Sequence, residues 1–314
     1  MDTKIISKIT GRNFLEGFKA FLADIKESRT QYLFLAPFTI IFATFIVLPV
    51  LLSIVLSFTY FNMLQWPSWV GLENYMRMFL EDDIFLIAIQ NTLVFSFVTG
   101  PLSYLLSLFF AWLINEFKPK IRTIFTLLFY GPSISGSAFL IWLLIFSGDA
   151  YGYVNGFLLK YNLITEPILF LRDPDYMMPI VIIVTLWMSL GTSFLVFIAG
   201  LQGIPDDRYE AGAIDGIRNR WQELWYITLP SMRGYMMFGA IMSITFSFQA
   251  ADQITALVGF PSTDYAVHTV MQHVTDYGYT RYEMGYASAI AVVLFLVMVL
   301  TQKIVQRLLS GLGQ

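Results

Sequence analysis

Residues 177–201 read MMPIVIIVTLWMSLGTSFLVFIAGL, twenty-five positions without a charge. The next stretch, 202–234, changes character and reads QGIPDDRYEAGAIDGIRNRWQELWYITLPSMRG. The first piece is long enough to cross a bilayer as one helix, which takes about 20 mostly apolar residues. The second is polar, carries four arginines and is too long for a simple turn. The chain thus alternates between a membrane solvent and an aqueous one. Five comparable apolar stretches occupy 31–60, 84–114, 123–147, 235–258 and 285–302, with Asp252 their only charge. Over 314 residues the composition is 57% apolar and 13% charged, where soluble domains approach a quarter charged. The expected architecture is all-α and polytopic, with six transmembrane helices in 31–305 between a leading segment, 1–30, and a tail, 306–314.

Loop charges give the orientation, because Lys and Arg resist translocation. Fifteen of the nineteen basic residues lie before span one, after spans two and four, and after span six; the other side holds only Arg77, Lys160, Arg172 and Arg281. Both termini are therefore expected in the cytoplasm. The leading segment is basic but shows no small-residue cleavage site, which argues against a removed signal. Its Phe14, Leu15, Phe18, Phe21, Leu22 and Ile25 recur at helical spacing, which fits either an amphipathic helix on the inner leaflet or an extension of span one. The outer loops are acidic, a face that is either solvated or offered to a soluble partner.

The chemistry available for catalysis is thin. A net charge of −3 disfavours nucleic-acid binding, and the absence of cysteine removes disulfides, thiolate metal sites and thiol nucleophiles. There is no GxxxxGK[ST], HExxH or GxSxG motif, so ATP hydrolysis by this chain alone is not expected. His268 and His273, five apart, fit neither helical spacing for a shared face and are expected as loop residues.

Within 202–234, Asp206 and Asp207 stand where an N-cap belongs, and Ala211, Gly212 and Ala213 are small enough for close approach by another chain. Gly216 can take φ > 0 and end that helix. A second helical run follows over 218–226, with Trp221, Leu224 and Trp225 on one side, until Pro230 breaks it. The spacing predicts a helix, a glycine corner and a second helix at the membrane surface, either a docking surface or simply a folded loop. In the spans, Gln90, Asn91, Trp187, Ser189, Thr192, Gln249, Asp252 and Gln253 are costly in lipid unless they line a path or bond between helices. Gln249, Asp252 and Gln253 share one side of a helix by their spacing. Gly131, Pro132, Ser133 and Gly136 mark a break in span three.

Glu210, Ala211 and Gly212, then Asp215 and Gly216, then Ile227, Thr228, Leu229 and Pro230 resemble the EAA loop of permease subunits in bacterial ABC importers. Val70 to Tyr75, Asn91 and Thr92, and Met284 to Ala289 are similar to the carbohydrate-uptake branch, the maltose, lactose and glycerol phosphate type. Three features depart from that pattern: Gly212 replaces alanine, Ile217 replaces alanine, and the run from Asp215 to Pro230 is one residue longer, which implies a rotated or bulged second helix. The large outer insertion and extra leading helices of some maltose-type subunits are missing. The resemblance implies the type I ABC importer permease fold in compact six-span form. It further implies a second homologous permease subunit, an extracytoplasmic solute-binding protein and a cytoplasmic ATPase dimer that uses ATP and Mg, with no cofactor on this chain. Coupling would pass through Glu210, Ala211, Gly212, Asp215, Gly216 and Pro230, with Glu210 either pairing with a basic residue of the ATPase or holding the loop itself. Asn91, Trp187, Gln249, Asp252 and Gln253 are the candidate substrate-path residues. The alternative, a secondary transporter or channel working without nucleotide, lacks the intramembrane charges that ion coupling uses, apart from Asp252.

Overall fold

The computed structural model describes residues 28–310, and the expected amphipathic stretch at 14–25 lies outside them. The chain divides into two units, 1–55 and 56–314. In the first, a helix over Arg29–Leu56 (α1) is 28 residues long, and its spanning window buries no residue. It contains a π turn at Ala43–Val47, two residues before Pro49. Proline has no N–H to give and its ring crowds the carbonyl four residues back, and the wider π register relieves both.

In the second unit a short antiparallel pair, Thr59–Tyr60 (β1) with Ser68–Trp69 (β2), leads to Glu73–Leu80 (α2) and the 33-residue helix Asp83–Asn115 (α3). These two strands are the one departure from an all-α chain among the described residues. At 1.5 Å per residue α3 is about 50 Å long, longer than the roughly 30 Å hydrocarbon layer, so its ends reach water. Next come Pro119–Ile134 (α4), Leu140–Ile145 (α5), Tyr153–Lys160 (α6), Pro174–Met188 (α7) and Thr192–Gln202 (α8). The inner loop holds Asp206–Ile214 (α9), Arg220–Glu223 (α10) and Leu229–Ser231 (α11); Arg233–Phe248 (α12), Asp252–Val258 (α13), Val270–Thr275 (α14) and Met284–Ser310 (α15) complete the fold.

Four helical stretches are long and apolar enough to cross a membrane: α1, α3, Pro174–Gln202 and α15. The third and fifth apolar stretches of the sequence are not single helices. The third is divided at 135–139, after Pro132, as expected; the fifth is divided at 249–251, which was not. The fourth is interrupted at 189–191. Three neighbouring spans are thus broken.

Burial on α3 follows a file of small residues, Ala88, Thr92, Ser96, Gly100, Ser103, Ser107 and Ala111. Small side chains let helices approach in lipid, where apolar burial gives little drive and van der Waals contact and hydrogen bonds decide. Ser96 donates to the Ser247 carbonyl (3.1 Å), Ser193 donates to that of Gly239 (3.1 Å), and the Phe197 ring occupies the space a side chain at Gly239 would need. Two stretches that carried the family resemblance meet at β1. Buried Asn74 donates to the carbonyls of Ser57 and Thr59, and Gly285 lies so close to the Thr59 carbonyl that a Cβ there would collide with it.

Candidate functional site

The loop over 202–234 is a braced knob. Pro205, not an aspartate, occupies the N-cap of α9, and no side chain caps it; Asp206 and Asp207 sit in the first turn, where their charge opposes the helix dipole. At the other end Gly216 has φ +95°, Ile217 N–H donates to the Gly212 carbonyl (2.9 Å) and Gly216 N–H to that of Ala213 (3.3 Å). This is a Schellman closure, which needs the left-handed residue that glycine supplies. Glu210, Ala211, Ala213, Ile214, Asp215 and Gly216 are exposed, with Ile214 87% accessible; Gly212 alone is buried. Glu210 pairs with no side chain among the described residues.

The three departures from the family pattern converge on Gly212. A Cβ there would collide with Cδ1 of Ile227 and lie 3.1 Å from Cδ1 of Ile217. The larger residue at 217 therefore fills the volume that the glycine vacates. The extra residue appears as a π turn over Leu224–Thr228, closed by Leu229 N–H on the Leu224 carbonyl, and it carries Ile227. Pro230 does not break the second helix as expected; it sits in α11, one turn further, and the π register accommodates it as at Pro49. Tyr209 and Thr228 hydroxyls meet at 3.1 Å, and Arg208 donates to Ser231 (2.8 Å), so both arms of the loop move together.

The expected path residues separate. Asn91 donates to the backbone carbonyls of Tyr265 (2.9 Å) and His268 (3.1 Å), an interhelical bond that occupies it. Gln249 lies beyond the end of α12, whereas Asp252 and Gln253 begin α13, so the three do not share a helix face. Gln249 and Asp252 are exposed, and Asp252 lines a cavity of about 300 Å³ with Thr255, Phe260, Gln272 and Thr275. Trp187 is 38% accessible, packs edge-on against Trp142 (5.6 Å) and lines a second cavity of about 430 Å³ with Phe110, Phe129 and Pro132. The breaks in spans three and four abut, since a Cβ on Gly191 would stand 2.6 Å from the Ser133 hydroxyl. In the apolar stretches Trp142 Nε1, Thr185 Oγ1 and Gln253 Nε2 are buried with no partner among the described residues. Unsatisfied donors in lipid cost several kcal/mol, roughly, and are kept where something else meets them. Trp142 and Thr185 escaped sequence reading because nothing marks a tryptophan or threonine in an apolar span as unpaired.

Only one of the two histidines is a loop residue as expected, His268 in the connection before α14. His273 lies in α14, and His268 precedes the capping box that Thr269 and Gln272 form at its start; both are at most 2% accessible. Asp82 Oδ2 accepts from His273 Nε2 (3.0 Å), Tyr286 (2.7 Å) and Tyr277 (3.3 Å), while Oδ1 caps α3 through Phe85 N–H (2.9 Å). Burial works against the Asp82 carboxylate, but the hydrogen bonds from His273, Tyr286 and Phe85 outweigh it and hold its pKa well below the ordinary carboxylate range. His268 Nε2 and His273 Nδ1 share a hydrogen bond (3.0 Å), and His268 Nδ1 is buried with no partner among the described residues. Burial and the neighbouring His273 lower the His268 pKa to about 4. Arg77 stacks over Tyr286 (4.4 Å) and pairs with Glu283, and Arg281 pairs with Asp276 (2.8 Å). This cluster ties α2, α3, α14 and α15 together.

Residues 20–311 match the family described as binding-protein-dependent transport system inner membrane component. The probable ABC transporter permease protein YesP of Bacillus subtilis is 32% identical over 278 residues, covering 87% of each chain. The arabinooligosaccharides transport system permease protein AraP of the same organism is 30% identical over 283 residues, with 89% and 88% covered. The fold is shared with a chain of a bacterial alginate ABC transporter solved with its alginate pentasaccharide-bound periplasmic protein, at TM-score 0.73 and 23% identity over 93% of this chain and 99% of that one. With nearly its whole length matched, the chain belongs to the family of inner-membrane permease components of binding-protein-dependent transport systems.

Proposed function

We propose that this chain forms half of the translocation pathway of an ATP-driven sugar or oligosaccharide importer, and that a separate ATPase dimer, which uses ATP and Mg, drives it through α9. The relatives supporting the sugar assignment are the arabinooligosaccharide permease above and the lactose permease LacF of Rhizobium radiobacter, 30% identical over 225 residues. A second permease subunit completes the pathway, and an extracytoplasmic binding protein delivers the sugar to the acidic outer face. Six crossings with both termini in the cytoplasm put α9 on the ATPase side.

The observation that carries the reading is the split character of α9. Its outward residues, Glu210, Ala211, Ala213 and Ile214, are exposed, while Gly212 and the Schellman closure lock its inner side to Ile227 and Ile217. A short rigid helix with an unsatisfied polar face is what a cleft on another protein needs in order to push on it. The unpartnered donors Trp142 Nε1, Thr185 Oγ1 and Gln253 Nε2 suit sugar hydroxyls and the Trp142–Trp187 pair suits C–H faces, and we assign them as this subunit's contacts in the pathway. In a complex with its partners, Glu210→Lys, or Gly216→Pro, which demands φ near −65° where the chain has +95°, abolishes uptake while the protein stays in the membrane. Wild-type uptake in either variant overturns the reading.

A further inference from the structure

The knob is joined to more than the two spans that enter and leave its loop. Arg220, in α10, reaches Glu116 just beyond the end of α3 (2.8 Å) and Glu223 on its own helix (2.7 Å). One residue on, Trp221 packs against Trp112 of α3 with ring centroids 5.2 Å apart. Asn219 caps α10 by accepting from Gln222 N–H (2.8 Å), and the Gln222 side chain accepts from Arg218 N–H (2.9 Å), so the segment bearing Arg220 and Trp221 is held in one conformation. Beside this joint lies a cavity of about 530 Å³, lined by Trp112, Asn115, Glu116, Arg122, Arg220 and Glu223 among others. The joint is therefore a strut of a few side chains across open space, not a packed wall.

We infer that Arg220 and Trp221, acting on Glu116 and Trp112, are positioning residues that deliver the displacement of α9 to α3. An exposed ion pair contributes at most about 1 kcal/mol to stability, so its value here is geometric: it fixes register between two elements that are far apart in the chain. Force applied to α9 passes through Tyr209–Thr228 and Gly212–Ile227 into the second arm, and from there through the strut into the longest helix of the unit, whose small-residue face packs on α8 and α12. The inference rests on the importer reading for the source of the force, but the strut itself can be tested without it.

The chain has no cysteine, so a spin-label pair at Tyr226→Cys, exposed on the second arm, and Leu113→Cys in α3 reports one distance in the assembled complex. With the strut intact the distance distribution is narrow and unchanged between the nucleotide-free and the vanadate-trapped MgATP states. In an R220Q/W221A background it broadens without nucleotide and shifts on trapping, while Arg220→Lys keeps the narrow distribution. A wild-type distance that shifts on trapping, or a cut strut that leaves the nucleotide-free distribution narrow, overturns the inference. A complex that traps no nucleotide contradicts the importer reading alone, because the nucleotide-free comparison still decides the strut.

Discussion

The loop over 202–234 and the segment over 259–283, inner and outer in the proposed topology, treat polar groups in opposite ways. The inner loop buries Gly212 against Ile227 and turns Glu210, Asp215, Arg208, Arg218 and Arg220 outward. The outer segment buries His268, Thr269, Gln272, His273 and Asp276 and satisfies nearly all of them from Asp82, the backbone and one another. A buried polar network that closes on itself is a structural cap and asks for nothing further. An exposed polar face on a rigid backing is unfinished and asks for a partner.

The largest effect expected from breaking this contrast is on the outer side. Asp82→Leu leaves His273, Tyr277 and Tyr286 without their acceptor and costs about 3–5 kcal/mol, the range for removing one member of a buried pair. Thermal unfolding in detergent measures it, and hydrogen exchange should localise the loosening to 259–283 while 202–234 is unchanged. On the inner side Gly212→Ala forces a methyl against Ile227 and costs about 1–3 kcal/mol, as overpacking does; Ile227→Val removes the colliding carbon and restores most of it.

A graded effect distinguishes the two regions by pH. His268 takes up a proton near 6.5 when unfolded but only near 4 when folded, so its contribution is complete above 6.5 and is lost as pH falls toward 4. Asp82 acts in the same sense at still lower pH. Exchange in 259–283, corrected for intrinsic rates, therefore rises on acidification, with no matching rise in 202–234, and His268→Asn flattens the response. The smallest effect sharpens the comparison from the other end. Glu210→Gln changes stability by no more than about 0.5 kcal/mol, because the side chain is exposed and pairs with no side chain among the described residues, while uptake falls.

The apolar stretches were legible because lipid tolerates almost no charge, and the loop between spans four and five because Gly216 and the small residues 211–213 have few other uses. The π turn was foreshadowed as one residue too many, though its place was not. The break at 249–251 was invisible: Gln249, Ala250 and Ala251 include no proline or glycine, and the Ala250 carbonyl accepts from Thr269 Oγ1 (3.0 Å), a residue distant in the sequence. The histidine chain was hidden as well, since the carboxylate that organises it lies 191 positions away in the sequence. Spacing within a segment says nothing about a partner delivered by another helix.

The central claim is that α9 is a passive knob seated in a separate ATPase. Ala213→Cys, on the exposed side of α9 in a chain without cysteine, can be labelled with a membrane-impermeant maleimide in inside-out vesicles. The account predicts rapid labelling of the permease pair alone and strong protection once the ATPase dimer is bound. Equal labelling with and without the ATPase would contradict it.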